Sequence, residues 1–406
     1  MKICLIASYM PWHENRGAAC ALLYWLIMCR PQDIDIQVLC LNTNSIPEKD
    51  VDIVREELKC DIKVIPNPRW NRIIRGSSYF AKLFSWIMPK PFSDYYVVPK
   101  QIHQIIQNGD YDAIWLYPMH LYRLAYKYPK KKFVVTGMDC ESLNKLTRIA
   151  DPIFLNHTIG NFHQWVNLRQ DIRREKKLNK DNILYHVVGL ADLNFYERHT
   201  RAKNSFFLLH PHYGAHPKEI VFSEDKLKVL FAGAYNFFTK TDMDVIVDEL
   251  IRHNNLKEKI IITFLGRNWA GISVRLIEAG YECEVKTWVD NYIEEIRKYD
   301  IQVTPITNGG GTKAKILDAM TSGLLVVSSI PAYLNIAVRD NDSIVLYKRP
   351  EEVPTILNSV YNNKSKYEKI AMKGCNQILT FHNPQRCSTR FFWYCRELVK
   401  WKAIIK

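Results

Sequence analysis

The chain alternates short apolar segments with amphipathic helical segments, and this alternation constrains the fold more than any other feature. In the first half the strand-like segments are KICLIAS, IDIQVLCL, IKVIP, DAIWLYP, KFVVTG and NILYHVVG. In the second half they are LKVLFAG, KIIITFLG, IQVTP, LLVVSS and SIVLY. Strands that alternate with helices form parallel sheets with helices on both faces. The sequence therefore predicts an α/β fold.

The alternation is interrupted at residues 208–226, where proline, histidine, glycine and charged residues replace the apolar segments. Because a single core rarely serves a chain of 406 residues, we interpret this stretch as a linker between two doubly wound, Rossmann-like domains. The predicted domains are 1–210 and 211–385, and residues 386–406 form a C-terminal helix.

Composition excludes some classes of protein and leaves others open. The longest apolar block, residues 18–29, is shorter than the roughly 20 residues that span a membrane, so it predicts a core helix. The ten cysteines are scattered without a Cys-x-x-Cys pair, which favours reduced thiols in a cytosolic protein and no zinc motif. The net charge of +14 favours an anionic partner: nucleic acid, a phosphorylated small molecule or a membrane surface.

The stretch 304–329 carries the strongest candidate site, because it joins a strand to a helix through a glycine-rich turn. In an open parallel sheet, ligands bind beyond the carboxyl ends of the strands. Glycines let a phosphate approach the backbone, and Thr312 is expected to cap a helix whose N-terminus attracts anions. Lys315 and Asp318 share one face of that helix. The alternative is a flexible turn with solvated lysines. The glycines are Gly309, Gly310 and Gly311.

Several segments resemble one enzyme family. The stretch GGGTKAKILDAMTSGLLVVSS resembles the nucleotide-sugar loop of retaining GT-B glycosyltransferases of family 4. FAGAYNFFTKTD resembles the first strand and loop of their donor domain, with Lys240 in the place of a phosphate-binding lysine. IMPKPFSDYY and VVTGMDCESL resemble acceptor-domain segments of bacterial members that build surface polysaccharides. The resemblance covers nearly the whole chain. It implies two domains that face each other across a cleft and a C-terminal helix that crosses back to the first.

The resemblance implies transfer of a sugar, with retention, from a UDP- or GDP-sugar to a glycan or a lipid-linked acceptor. Lysines and a helix N-terminus stabilise the leaving nucleoside diphosphate, so neither a metal nor a cofactor is expected. The chain departs from the family at two places. The family has two glutamates separated by seven residues, where this chain has Gly310 and Asp318. The family's arginine after the donor-domain glycine is Ala234, and we expect Arg267 as its substitute.

Further candidates follow other predicted strands. Trp288 is expected to contact the nucleotide base, unless it is a core tryptophan. Gly17, at the start of the first core helix, is expected to meet the donor phosphates. Asp139 and His120 are the candidates for the general base that activates the acceptor hydroxyl. The alternatives are a helix cap for Asp139 and a structural role for His120.

Residues 70–90 mix basic and aromatic side chains at spacings compatible with an amphipathic helix, and residues 390–406 repeat the mixture. Such stretches suit an anionic membrane interface, although a core-facing helix with solvated lysines is the alternative. We therefore expect a cytoplasmic protein, peripheral on the inner face of the membrane. Two other functions stay open: a GT-B sugar-nucleotide epimerase and a basic nucleic-acid-binding protein, which is disfavoured because no nucleic-acid-binding module is recognisable. The membrane candidates are Arg72, Arg75, Lys82 and Trp86.

Overall fold

The structure is a computed structural model that describes residues 1–13, 18–71, 88, 90–150, 158–212, 218–308 and 310–400. Its chain divides into two compact units. Unit 1 contains the described residues up to 212 together with 384–400, and unit 2 contains the described residues from 218 to 383.

Unit 1 is built on a parallel sheet that has seven strands in the described part of the chain, in the order β3-β2-β1-β4-β5-β6-β7. The chain therefore runs outward from β1 on one side and then returns to build the other side from β4. The switch of direction lies between β1 and β4. The strands are β1 Lys2–Ala7, β2 Asp35–Cys40, β3 Asp61–Val64, β4 Ala113–Tyr117, β5 Phe133–Thr136, β6 Ile183–Val187 and β7 Ser205–Phe207.

Helices cover both faces of this sheet, which is why central strands such as β4 are buried along their whole length. The α-helices are α1 Ala18–Met28, α2 Glu48–Leu58, α3 Lys100–Asn108, α4 Arg123–Lys127, α5 Glu141–Ile149, α6 Thr158–Lys176, α7 Leu190–Thr200 and α15 Pro384–Lys400. Short 3-10 helices lie at Phe92–Tyr95 and Met119–Tyr122. The C-terminal helix α15 packs on α1, where Ser388 Oγ donates to the carbonyl of Leu26 at 2.7 Å and Phe391 contacts Trp115.

Unit 2 repeats this design with a parallel sheet of six described strands in the order β10-β9-β8-β11-β12-β13. The chain turns back at β8, so the switch of direction lies between β8 and β11. Apolar clusters lie on both faces of the sheet. The strands are β8 Leu227–Ala232, β9 Ile260–Leu265, β10 Glu282–Lys286, β11 Ile301–Thr304, β12 Leu325–Ser329 and β13 Val345–Tyr347.

The α-helices of unit 2 follow its strands in alternation. They are α8 Lys240–Arg252, α9 Ala270–Glu278, α10 Tyr292–Ile296, α11 Ala314–Thr321, α12 Ile330–Tyr333, α13 Val353–Asn362 and α14 Lys364–Phe381. Two 3-10 helices lie at Asn254–Leu256 and Pro350–Glu352.

The prediction of two doubly wound α/β domains is confirmed. Sequence reasoning missed β7 and β10, because β7 has three residues and the edge strand β10 alternates charged with half-buried side chains instead of forming an apolar run. The apolar block 18–29 forms the buried core helix α1. Within the described residues, no helix is long and apolar enough to cross a membrane. All ten cysteines are free thiols.

Candidate functional site

Two loops meet at the switch point of unit 2. The β8 loop (residues 233–239) follows β8, and the β11 loop (residues 305–313) follows β11. The carbonyl of Phe238 accepts hydrogen bonds from both the backbone N–H and the hydroxyl of Thr307, at 2.9 and 3.1 Å. These bonds tie the two loops together at the place where an open α/β sheet binds its ligands.

The ammonium group of Lys315 lies directly over Gly233. A Cβ atom added to Gly233 would lie 2.8 Å from Lys315 Nζ, so a larger residue there would displace the ammonium. Gly233 also has a φ of +122°, which glycine adopts readily and other residues rarely do. Beneath it, Gly266 packs so closely that an added Cβ would lie 2.1 Å from the carbonyl oxygen of Gly233. The absence of side chains at Gly233 and Gly266 therefore leaves space at the end of β8 for the Lys315 ammonium.

Lys315 keeps solvent-accessible surface, but burial of its ammonium among protein atoms lowers its pKa, and the charge of Asp318 opposes that shift. Part of the side chain is thus accessible to solvent, while the protein atoms around its ammonium reduce the hydration of the charge. A partly desolvated ammonium interacts strongly with an anion that reaches it. The site is thus electrostatically prepared for a negatively charged group.

The β11 loop leads into α11, which starts later than the sequence suggested. Helix α11 begins at Ala314 with Lys313 at the N-cap position, and no side chain forms a cap hydrogen bond there. The prediction that Thr312 caps this helix is wrong, because Lys313 is still extended at φ −85° and ψ 94°. The N–H groups of a first helical turn have no partners within the helix, so they remain suited to an anion.

Internal contacts hold the β11 loop in shape. Gly311 has a φ of +70°, and the Nζ of Lys313 turns back to donate to the carbonyl of Gly310 at 2.5 Å. The amide of Gln302 donates to the carbonyl of Lys315 at 3.2 Å. Lys315 therefore follows a loop whose described residues are held by internal hydrogen bonds.

A tyrosine that sequence reasoning did not select lies beside Asp318. The hydroxyl of Tyr292 is buried and has no hydrogen-bond partner among the described residues. Burial raises the pKa of Tyr292, and the negative charge of the buried Asp318 raises it further. A buried hydroxyl without a partner is costly, so this pair is a candidate site for ligand hydroxyl groups. The sequence did offer a signal for this residue, because Tyr292 directly follows the loop KTWVDN (residues 286–291), which was already expected to lie near the nucleotide base.

That loop presents Trp288 to solvent. The side chain is 75% exposed, so the alternative of a core tryptophan is wrong. Glu295, on helix α10, anchors the segment by accepting hydrogen bonds from Lys286 at 2.6 Å, Lys298 at 2.7 Å and Tyr299 at 2.8 Å. Burial alone would raise the pKa of Glu295, but these three donors lower it to about 2. The cluster fixes the loop at the end of β10.

Lys240 and Arg267 are both connected to the β8 loop through Tyr235. Lys240 begins α8, and its Nζ lies 3.9 Å from Asp244 Oδ2 and 5.8 Å from the Tyr235 ring centroid. The N–H of Tyr235 donates to the carbonyl of Arg267 at 3.0 Å. The Arg267 side chain is exposed and forms no ion pair within the described residues. That Lys240 and Arg267 bind an anion therefore stays a prediction.

His120 and Asp139 follow neighbouring strands in unit 1. His120 lies in the 3-10 helix after β4, at the switch point of that sheet, and its ring centroid lies 4.5 Å from that of Tyr96. Asp139 follows β5, where its carboxylate accepts a hydrogen bond from the Asn144 side chain at 2.9 Å. The N-cap position of α5 is Cys140, so Asp139 does not occupy it.

The remaining predicted positions lie outside the described residues. They are Gly17, Arg72, Arg75, Lys82, Trp86 and Gly309. Within the part of the chain that the structure describes, no group of three or more His, Cys, Asp or Glu side chains is arranged to hold a metal ion.

Comparisons with known proteins identify solved structures that share the fold of this chain. No protein-family model matches the chain, and no curated protein matches it. Among solved structures it resembles Anabaena HepE in complex with UDP, with a TM-score of 0.65, 13% identity, and coverage of 98% of this chain and 100% of HepE. HepE has also been solved with UDP-glucose.

Two further solved structures are similar to the chain over nearly their whole length. Sucrose-phosphate synthase from Thermosynechococcus elongatus gives a TM-score of 0.63 at 10% identity, covering 98% of this chain and 99% of that one. WaaG, a glycosyltransferase involved in lipopolysaccharide biosynthesis, gives 0.55 at 11% identity, covering 96% and 98%. At this level of identity the likeness shows architecture. The chain therefore has the GT-B fold, with two doubly wound parallel-sheet domains.

Proposed function

We propose that the chain is a glycosyltransferase that binds a nucleoside-diphosphate sugar at the switch point of unit 2. It transfers the sugar, with retention, to a glycan or a lipid-linked acceptor in surface polysaccharide synthesis. The observation that carries this proposal is the Lys315 ammonium, held over the bare backbone of Gly233 between the β8 and β11 loops. The structures of HepE with UDP and UDP-glucose support the same class of donor.

The chemistry of sugar transfer explains why a cation is needed at this position. When the glycosidic bond to the donor breaks, negative charge accumulates on the leaving diphosphate. Lys315 and the N–H groups at the start of α11 stabilise that charge without having to move, which is the most effective form of electrostatic catalysis. Lys240 and Arg267 add positive charge from α8 and from the end of β9.

The nucleoside portion of the donor is assigned to the other side of Lys315. Asp318 accepts hydrogen bonds from the ribose hydroxyl groups, and the buried hydroxyl of Tyr292 gains a partner there. Trp288, which is exposed beyond β10, contacts the base. Gly310, in the position where the resembling family has a carboxylate, offers the sugar only backbone groups.

Unit 1 binds the acceptor, and His120 or Asp139 receives the proton of its attacking hydroxyl. His120 lies at the switch point between β1 and β4, whereas Asp139 lies one strand further from it. The position at the switch point favours His120, and the carboxylate chemistry favours Asp139.

The test is a thermal-shift and calorimetric screen of the full chain against UDP, GDP, ADP and their sugar conjugates. We expect one nucleoside diphosphate to raise the melting temperature and its sugar conjugate to bind at the same site. Turnover of the nucleotide sugar without any acceptor, producing its epimer, would support the epimerase alternative. Preferential binding of oligonucleotides, with no response to any nucleoside diphosphate, would contradict the proposal and favour the nucleic-acid-binding alternative.

A further inference from the structure

Helix α6 presents an unusual outer face. Phe162, Trp165, Arg169, Arg173 and Lys176 are all exposed. Their spacings of three and four residues place them on one stripe of the helix, about 21 Å long at 1.5 Å per residue. The two aromatic side chains lie together at one end of the stripe, and the three cations occupy the rest.

More than half of each aromatic side chain on this stripe is exposed. Phe162 is 61% exposed and Trp165 is 54% exposed. Within the described part of the chain, none of the three cations, Arg169, Arg173 and Lys176, forms an ion pair. Neighbouring large apolar side chains next to unpaired cations, on a stripe whose five residues include no carboxylate, indicate an interaction surface.

The inner face of α6 prevents the helix from rotating to hide its aromatic residues. Arg174 pairs with Asp171 at 2.6 Å and lies 3.6 Å from Asp94, and all three side chains are buried. Glu175 is fully buried, and it accepts a hydrogen bond from the backbone N–H of Ser142 at 3.0 Å. Breaking such buried charged contacts is strongly destabilising. The stripe is therefore held outward by the fold.

More basic and aromatic groups continue the surface beyond the C-terminal end of α6. The Tyr126 hydroxyl donates to the carbonyl of Lys177 at 2.8 Å, and the Nζ of Lys180 lies 4.1 Å from the centroid of the Tyr126 ring. Tyr126 is itself 46% exposed. These contacts place a further exposed aromatic side chain and a cation next to the C-terminal end of α6.

From these observations we infer that the outer face of α6 binds an anionic membrane surface. Tryptophan and phenylalanine side chains settle at the level of lipid headgroups, while arginine and lysine reach lipid phosphates. A convex helix face fits a planar surface, whereas single-stranded nucleic acid is held in a groove that interleaves cations with stacking rings. The inference goes beyond the proposed function, because it concerns a surface of unit 1 and not the donor site of unit 2.

The test is co-sedimentation of the full chain with vesicles of phosphatidylcholine alone or mixed with phosphatidylglycerol. Each cation near an anionic surface contributes about a fivefold factor in affinity. Substituting Arg169, Arg173 and Lys176 with Gln should therefore weaken binding to the mixed vesicles by on the order of 100-fold. The double substitution of Phe162 and Trp165 with Ala should abolish the binding that survives in high salt, because that part is hydrophobic.

A matched control removes the same charge from unit 2, by substituting Gln for three exposed lysines, Lys228, Lys348 and Lys366. This control should bind vesicles like the parent chain. Equal losses in the two triple variants would overturn the inference, because total charge would then explain binding. Failure of the parent to bind mixed vesicles would also overturn it, as would a stripe-dependent affinity for a soluble polyanion such as dextran sulfate without vesicle binding.

Two further readouts separate folding and donor binding from membrane binding. Circular dichroism should show the parent melting temperature for all variants, since the substituted side chains are exposed. The nucleoside diphosphate that stabilises the parent chain should stabilise the stripe variants equally. If the parent binds mixed vesicles but no nucleoside diphosphate, the proposed function fails while this inference stands.

Discussion

Substitution of Lys315 tests the donor site most directly, because its ammonium is the charge that the fold places over bare backbone. Lys315→Met keeps most of the aliphatic chain and removes the charge. A charge-assisted hydrogen bond contributes roughly 1.5 to 3 kcal/mol, so we expect the Kd for the nucleoside diphosphate to rise about 10-fold to 150-fold. Burial of the Lys315 ammonium, which also lowers its pKa, favours the upper part of this range, because a partly desolvated charge binds an anion more strongly.

Gly233→Ala provides a second, independent perturbation of the same contact. The added methyl group would lie 2.8 Å from Lys315 Nζ, and the flexible end of the lysine is what must move. The φ of +122° also strains any residue other than glycine, which costs stability by about 1 to 3 kcal/mol. Binding and stability must therefore be measured separately, by calorimetry and by denaturant unfolding.

The two substitutions together form a double-mutant cycle. If Gly233 acts by making room for the ammonium, Gly233→Ala should weaken binding in the parent background and have almost no effect in the Lys315→Met background. Lys348→Met, at an exposed lysine of unit 2, serves as the matched control and should bind normally. An unchanged Kd for Lys315→Met would refute the assignment of the phosphate site. Fully additive effects would refute the steric role of Gly233.

Three further predictions concern other residues. Tyr292→Phe should weaken nucleoside diphosphate binding by about 3-fold to 10-fold without lowering stability, because the hydroxyl has no hydrogen-bond partner to lose among the described residues; a stability loss with unchanged binding would contradict this. Glu295→Gln should lower the free energy of unfolding by about 2 kcal/mol at neutral pH, after allowance for the exposure of Lys298. Because the pKa of Glu295 is lowered from 4.5 to about 2, its contribution is complete above pH 4.5 and disappears as the pH falls through about 2, so urea unfolding of the two proteins should converge there. Asp139→Asn and His120→Ala should separate the general base from a bystander, since only loss of the base lowers kcat while leaving donor affinity unchanged; normal kcat in both variants would exclude both residues.

The sequence was sufficient for the architecture because periodicity and burial depend on the same side chains. Each apolar segment that predicted a central strand is a buried strand of one of the two sheets, and the chain passes from unit 1 to unit 2 within the interruption at residues 208–226. The missed edge strand β10 has the pattern ECEVK, whose two glutamates face solvent. Its strand conformation comes from hydrogen bonding to β9, a tertiary effect that local pattern does not reveal.

The site was less predictable, because spacing along the chain gives only the residues that share a helix face. Lys315 and Asp318 were accessible to such reasoning, since they are three positions apart in the sequence. The contact between Lys315 and Gly233 joins positions that are 82 residues apart, and only the sheet order that places β8 beside β11 brings them together. Tyr292 was missed for the same reason: Asp318, whose charge acts on its hydroxyl, lies on another helix.

The glycine at position 310, where the resembling family has a carboxylate, leads to an expectation about which part of the donor the site selects. The carbonyl of Gly310 already accepts a hydrogen bond from Lys313 at 2.5 Å, so the acceptor capacity that would replace a carboxylate is partly used. The nucleoside side of the site, by contrast, has the buried carboxylate of Asp318 and the buried hydroxyl of Tyr292. Buried polar groups that a wrong ligand leaves unpaired discriminate strongly, whereas a backbone carbonyl discriminates weakly.

We therefore expect the chain to select its nucleotide more stringently than its sugar. Calorimetry should show that UDP-glucose and UDP-galactose, which differ in the configuration of one hydroxyl, bind within about 3-fold of each other, while loss of a ribose hydroxyl, as in a 2′-deoxy nucleotide, lowers affinity by at least about 10-fold. The same comparison in a Tyr292→Phe variant should narrow the preference for the ribonucleotide, because this tyrosine is assigned to the ribose hydroxyl groups. A strong preference between the two sugars would mean that a side chain outside the β11 loop reads the sugar hydroxyls, and it would contradict the weak discrimination expected from the backbone of Gly310.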